Sequence, residues 1–239
     1  MATSKEMTAG PALPLILKFT LPLLLGNLLQ QTYSLVDAAI VGKFLGINAL
    51  ASVGASTSVV FLILGFCNGC CGGFGIPVAQ KFGARDYSTM RSYVSVSLKL
   101  AAGMSVVIAL VTSIFCADIL RIMRTPENIF EGAYAYLLVT FIGVPCTFFY
   151  NLLSSIIRAL GDSKTPFWFL LFAAVLNIIL DYLFIFPFGW GMFGAAIASA
   201  IGTTVGALMI IIYLSRRKCA LRFYPVKLTR KSMQLPPVI

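Results

Sequence analysis

The stretch LPLLLGNLLQQTYSLVDAAIVG, residues 21–42, is apolar enough for a membrane helix yet carries an aspartate, Asp37. It belongs to a longer apolar run that starts near Pro14. Runs of about 20 nearly uncharged residues recur along the chain, each long enough to cross ~30 Å of hydrocarbon as a helix. Of the 239 residues, 59% are hydrophobic and 11% charged, and the mean hydropathy is +0.93. A soluble core does not need that much apolar surface. A closed β-barrel would alternate apolar and polar residues, and this chain does not. The reading is all-α and polytopic, with six spans at about 14–41, 49–73, 92–114, 128–148, 166–187 and 192–214. The opening residues, MATSKEMTAGPALP, lack the ordered regions of a cleavable signal, and none is expected.

The net charge of +10 would suggest nucleic acid in a soluble protein. Here its placement changes the meaning. Lys5, Lys18, Lys81, Arg85, Arg91, Lys99, Arg158, Lys164 and seven residues from Arg216 to Lys231 fall on one side of the six spans, fifteen of eighteen basic residues. Lys43, Arg121 and Arg124 fall on the other. The positive-inside rule then puts both termini in the cytoplasm, with the basic residues at an anionic membrane surface. The expected organisation is a cytoplasmic N-terminus at 1–13, a six-helix lobe at 14–214 and a basic cytoplasmic tail at 215–239. No nucleic acid partner is implied.

The chain has six cysteines and no histidine. Cys67, Cys70 and Cys71 sit in span 2 among glycine and phenylalanine, without further metal ligands nearby, and read as small buried residues that ease helix contact. The missing histidine removes histidine proton relays, zinc deaminase-like sites and Ser-His-Asp catalysis. Gly65, Gly69, Gly72, Gly73 and Gly75 are expected to allow close helix approach. The following segment, VAQKFGARDYSTMRSY, reads as a short interfacial helix. Span 6, with GAAIASAIGTTVGALM, should pack in the bundle interior. In the loop RALGDSKTP, residues 158–166, Pro166 suits the first turn of span 5, and Asp162 or Thr165 can cap it. Pro22, inside span 1, frees a backbone carbonyl and makes either a static kink or a hinge.

Six of the eight acidic residues lie in loops or at span ends; Asp37 and Asp181 do not. An aspartate at the centre of a membrane helix costs roughly 2.5–3.5 kcal/mol, so each needs water, a partner or an ion. Spans 1 and 5 run in the same direction. Asp37 is five residues before Gly42 and Asp181 six before Pro187, which puts both on the order of 10 Å below the outer boundary. Asn177, four residues before Asp181, shares its face, and Tyr33 stands in the same relation to Asp37. Ser199 enters to a similar depth, with Thr203 and Thr204 one turn deeper. Two carboxylates, an amide and a hydroxyl form a hard-oxygen set suited to sodium. Apposed carboxylates cannot both ionise cheaply, so the set equally suits a proton. The candidate cation ligands are Asp37, Asn177, Asp181, Ser199 and Thr203. Tyr33, Gln30 and Asn27 are candidates for a substrate or proton network. Neither a cofactor nor a metal beyond sodium is implied.

These residues resemble the N-terminal half of the multidrug and toxic compound extrusion family over about residues 10–220. The resemblance rests on Pro22 with Asp37 fifteen residues on, on Val78-Ala79-Gln80 followed by Gly83-Ala84, and on Gly143 with Pro145. The loop Arg158-Ala159-x-Gly161-Asp162-Ser163-Lys164-Thr165-Pro166, then Asn177 and Asp181, complete it. Ser163 stands where threonine is usual. The resemblance implies an antiporter of the cell membrane that exports amphipathic, often cationic compounds against sodium or proton inflow. It also implies a cation site at Asp37, Asn177 and Asp181 with a span 6 hydroxyl, and rearrangement of span 1 around Pro22. The family has twelve spans in two lobes with the substrate cavity between them. One lobe is present here, the tail LTRKSMQLPPVI being no seventh span, so a second lobe is an expected partner and the chain reads as a fragment or a half that assembles. Other readings are a lipid-linked saccharide flippase, which would want arginines where these spans hold acids, and a non-transporting scaffold. An intramembrane aspartyl protease would want Gly-x-Gly-Asp, whereas Asn-Ile-Ile-Leu precedes Asp181. No enzymatic activity is expected.

Overall fold

The computed structural model describes residues 12–216. All but the last two residues of the expected N-terminal segment and all but the first two of the expected tail lie outside them. The described residues form α1 (Ala12–Leu45), α2 (Ile47–Gly83), α3 (Tyr87–Ile114), the short α4 (Cys116–Ile122), α5 (Glu127–Ala159), α6 (Lys164–Ile185) and α7 (Gly191–Arg216). Six of these, all but α4, are long and apolar enough to cross a membrane. The fold is an all-α, multi-pass membrane lobe.

The long helices outrun the expected spans. α2 does not stop at residue 73 but continues through Pro77 to Gly83. Packing holds this last part: Val78 is fully buried against the core that also contains Met90 and Leu153. The expected interfacial helix is therefore absent as a separate element. Its first residues finish α2, and from Tyr87 onward they form α3. Between the two, Arg85 adopts φ 58°, and the turn closes with Arg85 N–H donating to Phe82 O (3.1 Å) and Asp86 N–H to Lys81 O (3.0 Å). That is the double bond of a Schellman cap, with arginine in the left-handed position glycine usually takes. Arg124 (φ 52°) closes α4 in the same way. α5 likewise runs eleven residues past the expected end at 148, through Pro145, because Leu152, Leu153, Ile156 and Ile157 belong to the central core.

α5 is the central post. Its lower half packs on Cys67 and Cys71 of α2, Val94 of α3 and Ile210 of α7. Its upper half packs on Cys116 and Leu120 of α4. The Cys71 thiol donates to Phe148 O at 3.6 Å, so the cysteine cluster serves helix contact, as expected. The glycine stripe does not: a Cβ at Gly65, Gly69, Gly72 or Gly73 would meet nothing within 4 Å. Of the five glycines expected to do so, only Gly75 approaches another helix, at Ser155. α7 is interior on one face, through Ala195, Ala198, Ala207 and Ile210, while Leu208, Ile211 and Ile212 face outward.

Aromatic residues mark both ends of the membrane zone. Phe184 stacks on Trp190 at 5.1 Å and Phe188 lies beside it at 5.7 Å. At the basic end Trp168 is exposed. Trp168 on α6 and Phe186, which caps that helix, are eighteen residues apart, about 27 Å along the helix axis, close to the thickness of the hydrocarbon layer.

Two carboxylates work as caps. Asp162 accepts from Thr165 N–H (3.1 Å) and Oγ1–H (2.6 Å) at the start of α6, and from Tyr213 OH of α7 (3.1 Å). Asp162, rather than Thr165, is thus the capping residue, and Pro166 sits in the first turn as expected. Asp86 accepts from Thr89 N–H (3.1 Å) and Ser88 Oγ–H (2.9 Å). Hydrogen bonds from Thr89, side chain first, then its backbone, hold Asp86 below the ordinary carboxylate range. A lowered folded value means that the cap is fully present above the unfolded value of about 3.9 and fades as pH falls through the folded one. Protection of the Tyr87–Met90 amides, corrected for intrinsic exchange, is expected to be flat from neutrality to about pH 4 and to fall in stronger acid. Asp86→Ala should show the acid behaviour at pH 7.

Candidate functional site

Asp37 comes from α1, Asn177 and Asp181 from α6, and Ser199 and Thr203 from α7. Packing of α1 and α7 on α6 brings them together. Asp181 is 0% exposed, Asn177 2% and Asp37 7%, and the two carboxylates are close enough to interact electrostatically. Ser199 ties the helices: its Oγ lies 3.1 Å from the Tyr33 hydroxyl of α1 and accepts from Asn177 Nδ2 at 3.1 Å. Thr203 Oγ1 donates to Ser199 O at 2.8 Å, which fixes its place one turn deeper.

The acceptors are left over. Asp37 Oδ1, Asp181 Oδ1, Asp181 Oδ2 and Asn177 Oδ1 are buried and have no hydrogen-bond partner. Four orphaned oxygens, three of them on acids, are costly in an apolar bundle. The compensation the chemistry calls for is positive charge. A sodium ion or a shared proton meets that demand; an anionic or apolar ligand would not.

A cavity of about 510 Å³ opens beside the pair between α1, α2, α5 and α7, lined among others by Gln30, Asp37, Thr57, Tyr136, Thr140 and Ser199. Asp181 lies behind Asp37 rather than on the cavity wall. Tyr136 was not among the expected site residues, yet it lines the cavity together with Asp37. It sits eight residues inside the expected start of span 4 at 128, about 12 Å deep, so the depth count that paired Asp37 with Asp181 would have found it. Gln30 lines the cavity, whereas Asn27 is on an exposed face of α1 and does not line it. Thr204 turns away and donates to Ala200 O at 2.7 Å. α1 continues as helix through Pro22.

The MatE family model matches residues 22–183. The chain is 37% identical over 209 residues to the probable multidrug resistance protein YoeA of Bacillus subtilis (strain 168), covering 86% of this chain and 45% of that protein. It is 34% identical over 213 residues to the probable multidrug resistance protein YpnP of the same strain, covering 89% and 48%. The fold superposes with a TM-score of 0.85 at 26% identity on the outward-facing conformation of a multidrug resistance MATE family transporter of the MOP superfamily, covering 92% of this chain and 49% of that one. The chain spans about half the length of the curated relatives it matches.

Proposed function

This chain belongs to the MatE family, and from that premise we propose that it forms one six-helix lobe of a cation-coupled antiporter that exports amphipathic or cationic drugs. The observation that carries the proposal is the set of four buried, unpartnered acceptor oxygens on Asp37, Asp181 and Asn177. Sodium or a proton is the coupling ion, and Asp37, Asn177, Asp181, Ser199 and Thr203 hold it. The fold positions two carboxylates on different helices, so an ion shared between them draws α1 toward α6. Pro22 removes one backbone bond from α1, which leaves that helix free to answer by bending. The cavity beside Asp37, walled partly by α1, then changes shape with the ion's arrival. A second six-helix lobe completes the drug cavity. The assembly resides in the cell membrane with both ends of this lobe cytoplasmic, as the distribution of basic residues favours.

Sodium titration of the purified chain by calorimetry from pH 5 to 9 tests the site. Saturable binding is expected, weakening toward low pH as protons compete for the same oxygens. Heats that stay non-saturable at every pH, in a sample whose helical circular dichroism is intact, together with carboxylates that take up no proton over that range, would remove the cation site from the proposal.

A further inference from the structure

The cavity beside Asp37 opens along the side of the lobe, where its lining residues Gln31, Ser34 and Leu35 are exposed. The residues around this mouth are not those of a lipid face. Gln31 is eleven residues before Gly42 and Asn27 fifteen, about 16 and 22 Å below the outer boundary and inside a hydrocarbon layer of ~30 Å. Four residues apart, the two amides share a side of α1, and both are exposed. On α2, Asn68 is exposed four residues past Leu64 of the cavity wall, and it continues that wall toward the basic end. Ser34 and Thr57, on the same face, donate back to Gln30 O (3.0 Å) and Val53 O (2.8 Å) of their own helices, so hydrocarbon costs them little. Among the described residues no such bond ties Asn27, Gln31 or Asn68, and hydrocarbon offers an amide no partner.

Other outward sides at the same depth are apolar, with Val107 and Leu110 on α3 and Val175 and Ile179 on α6. The α1–α2 face calls for a cover of protein rather than lipid, and a second copy of the chain suits it. Fifteen of eighteen basic residues lie on one side of the spans, so a copy inserts in the same orientation and meets the first in parallel. The face carries no charge that would repel its own image. From Ile47 to Gln80 α2 has no charged residue, and between Lys18 and Lys43 α1 has only Asp37, which is 7% exposed. Each amide is both donor and acceptor, so the face is complementary to itself, as a two-fold contact requires. There is also room for close approach. Gly65 is eighteen residues past Ile47, as Asn27 is eighteen before Leu45, so the two are level, and a Cβ at Gly65 would meet nothing within 4 Å.

We propose that the α1–α2 face docks a second copy of this chain, parallel to the first about a two-fold axis along the membrane normal, with the amides of each copy meeting those of the other. The inference rests on the two-lobe reading given above and names the second lobe. Two cavities of about 510 Å³ then face one another, walled off from lipid, and each Asp37 borders the shared space. A chain that spans about half the length of its curated relatives has the share of one of two equal lobes.

The full chain, labelled once at its N-terminus, is placed in liposomes over a range of protein-to-lipid ratios, and the copies in each complex are counted by single-molecule photobleaching. Pairs are expected that separate on dilution in lipid. Asn27→Leu with Gln31→Leu should need at least tenfold higher density for half-pairing, because leucine gains as much from lipid as from a partner. Val175→Ala, on the outward side of α6, should stay within twofold of the parent. Two adjacent positions of α1 give a second measurement. A short bis-maleimide should join copies through Asn27→Cys at least tenfold faster than through Leu28→Cys, its exposed neighbour. Linked peptides are identified by mass spectrometry, so the native cysteines remain. Single copies at every density, unchanged pairing in the double variant, or equal linking at the two positions would overturn the second copy as the occupant of this face. Saturable sodium binding by the unpaired chain would then leave the cation reading standing. Pairs that bind no sodium would instead overturn the cation reading and leave the docking face in place.

Discussion

Asp181→Asn is expected to abolish saturable sodium binding and, in the same protein, to raise thermal stability. The two effects have opposite signs for one reason. The Asp181 carboxylate is fully buried, accepts no hydrogen bond through either oxygen and lies beside a second acid. In the absence of an ion the buried charge, or the uptake of a proton that removes it, costs the fold, and asparagine of the same shape removes that cost; replacing a buried ion pair by well-packed apolar residues is neutral or stabilising by about 1–4 kcal/mol, and the change here should have the same sign. With an ion bound, the same charge is a principal ligand. Losing one partner of a buried charge pair costs about 3–5 kcal/mol, and about 1.4 kcal/mol is a factor of ten, so affinity should fall at least hundredfold. Asp37→Asn should lose binding to a similar extent with a smaller gain in stability, because Asp37 keeps some exposure on the cavity it lines. Calorimetry for sodium and thermal unfolding in the same detergent measure both. Sodium binding unchanged in both variants would make the two acids packing residues, and destabilised variants would mean that the carboxylates had partners after all.

Gly202→Val should be the most damaging single packing change. A Cβ at this position would lie 3.2 Å from Ala173 O and 3.2 Å from Asn177 Cβ. The first obstacle is backbone and cannot rotate away, so α7 must move off α6. Overpacking of this kind typically costs about 1–3 kcal/mol, and a β-branched side chain belongs at the upper end. The displacement also carries Asn177 away from Ser199, so sodium affinity should fall together with the unfolding temperature. Gly72→Val is the internal control: nothing lies within 4 Å of a Cβ there, and its unfolding temperature should stay close to that of the parent chain. Equal effects of the two substitutions would mean that backbone propensity, not helix approach, dominates.

These glycines show where sequence reading reaches its limit. The stripe from Gly65 to Gly73 and the pair Gly202 and Gly206 look alike in one dimension. Only the rotation of each helix about its axis turns one set toward open space and the other onto Asn177 and Tyr150. That rotation is set by contacts between helices distant along the chain. The helix ends behaved likewise. Gly161, with φ 82°, is the kind of residue that marks a helix stop, although span 4 was expected to end at 148, whereas Arg85 and Arg124 occupy the same kind of left-handed position without the residue that advertises it.

The sequence by itself determined the six spans and the two buried acids, because the cost of charge in hydrocarbon is local: an uncompensated aspartate in an apolar run stands out whatever surrounds it. Depth followed by counting residues from the boundary. Tertiary structure alone decided that α2 and α5 extend through their prolines, because burial of Val78 and Leu153 outweighs a missing backbone bond. It also decided that Ser199 joins Tyr33 to Asn177 and that a cavity opens beside Asp37. Such features depend on which faces of α1, α5, α6 and α7 are turned toward one another, and that is a property of the packed bundle rather than of any one segment.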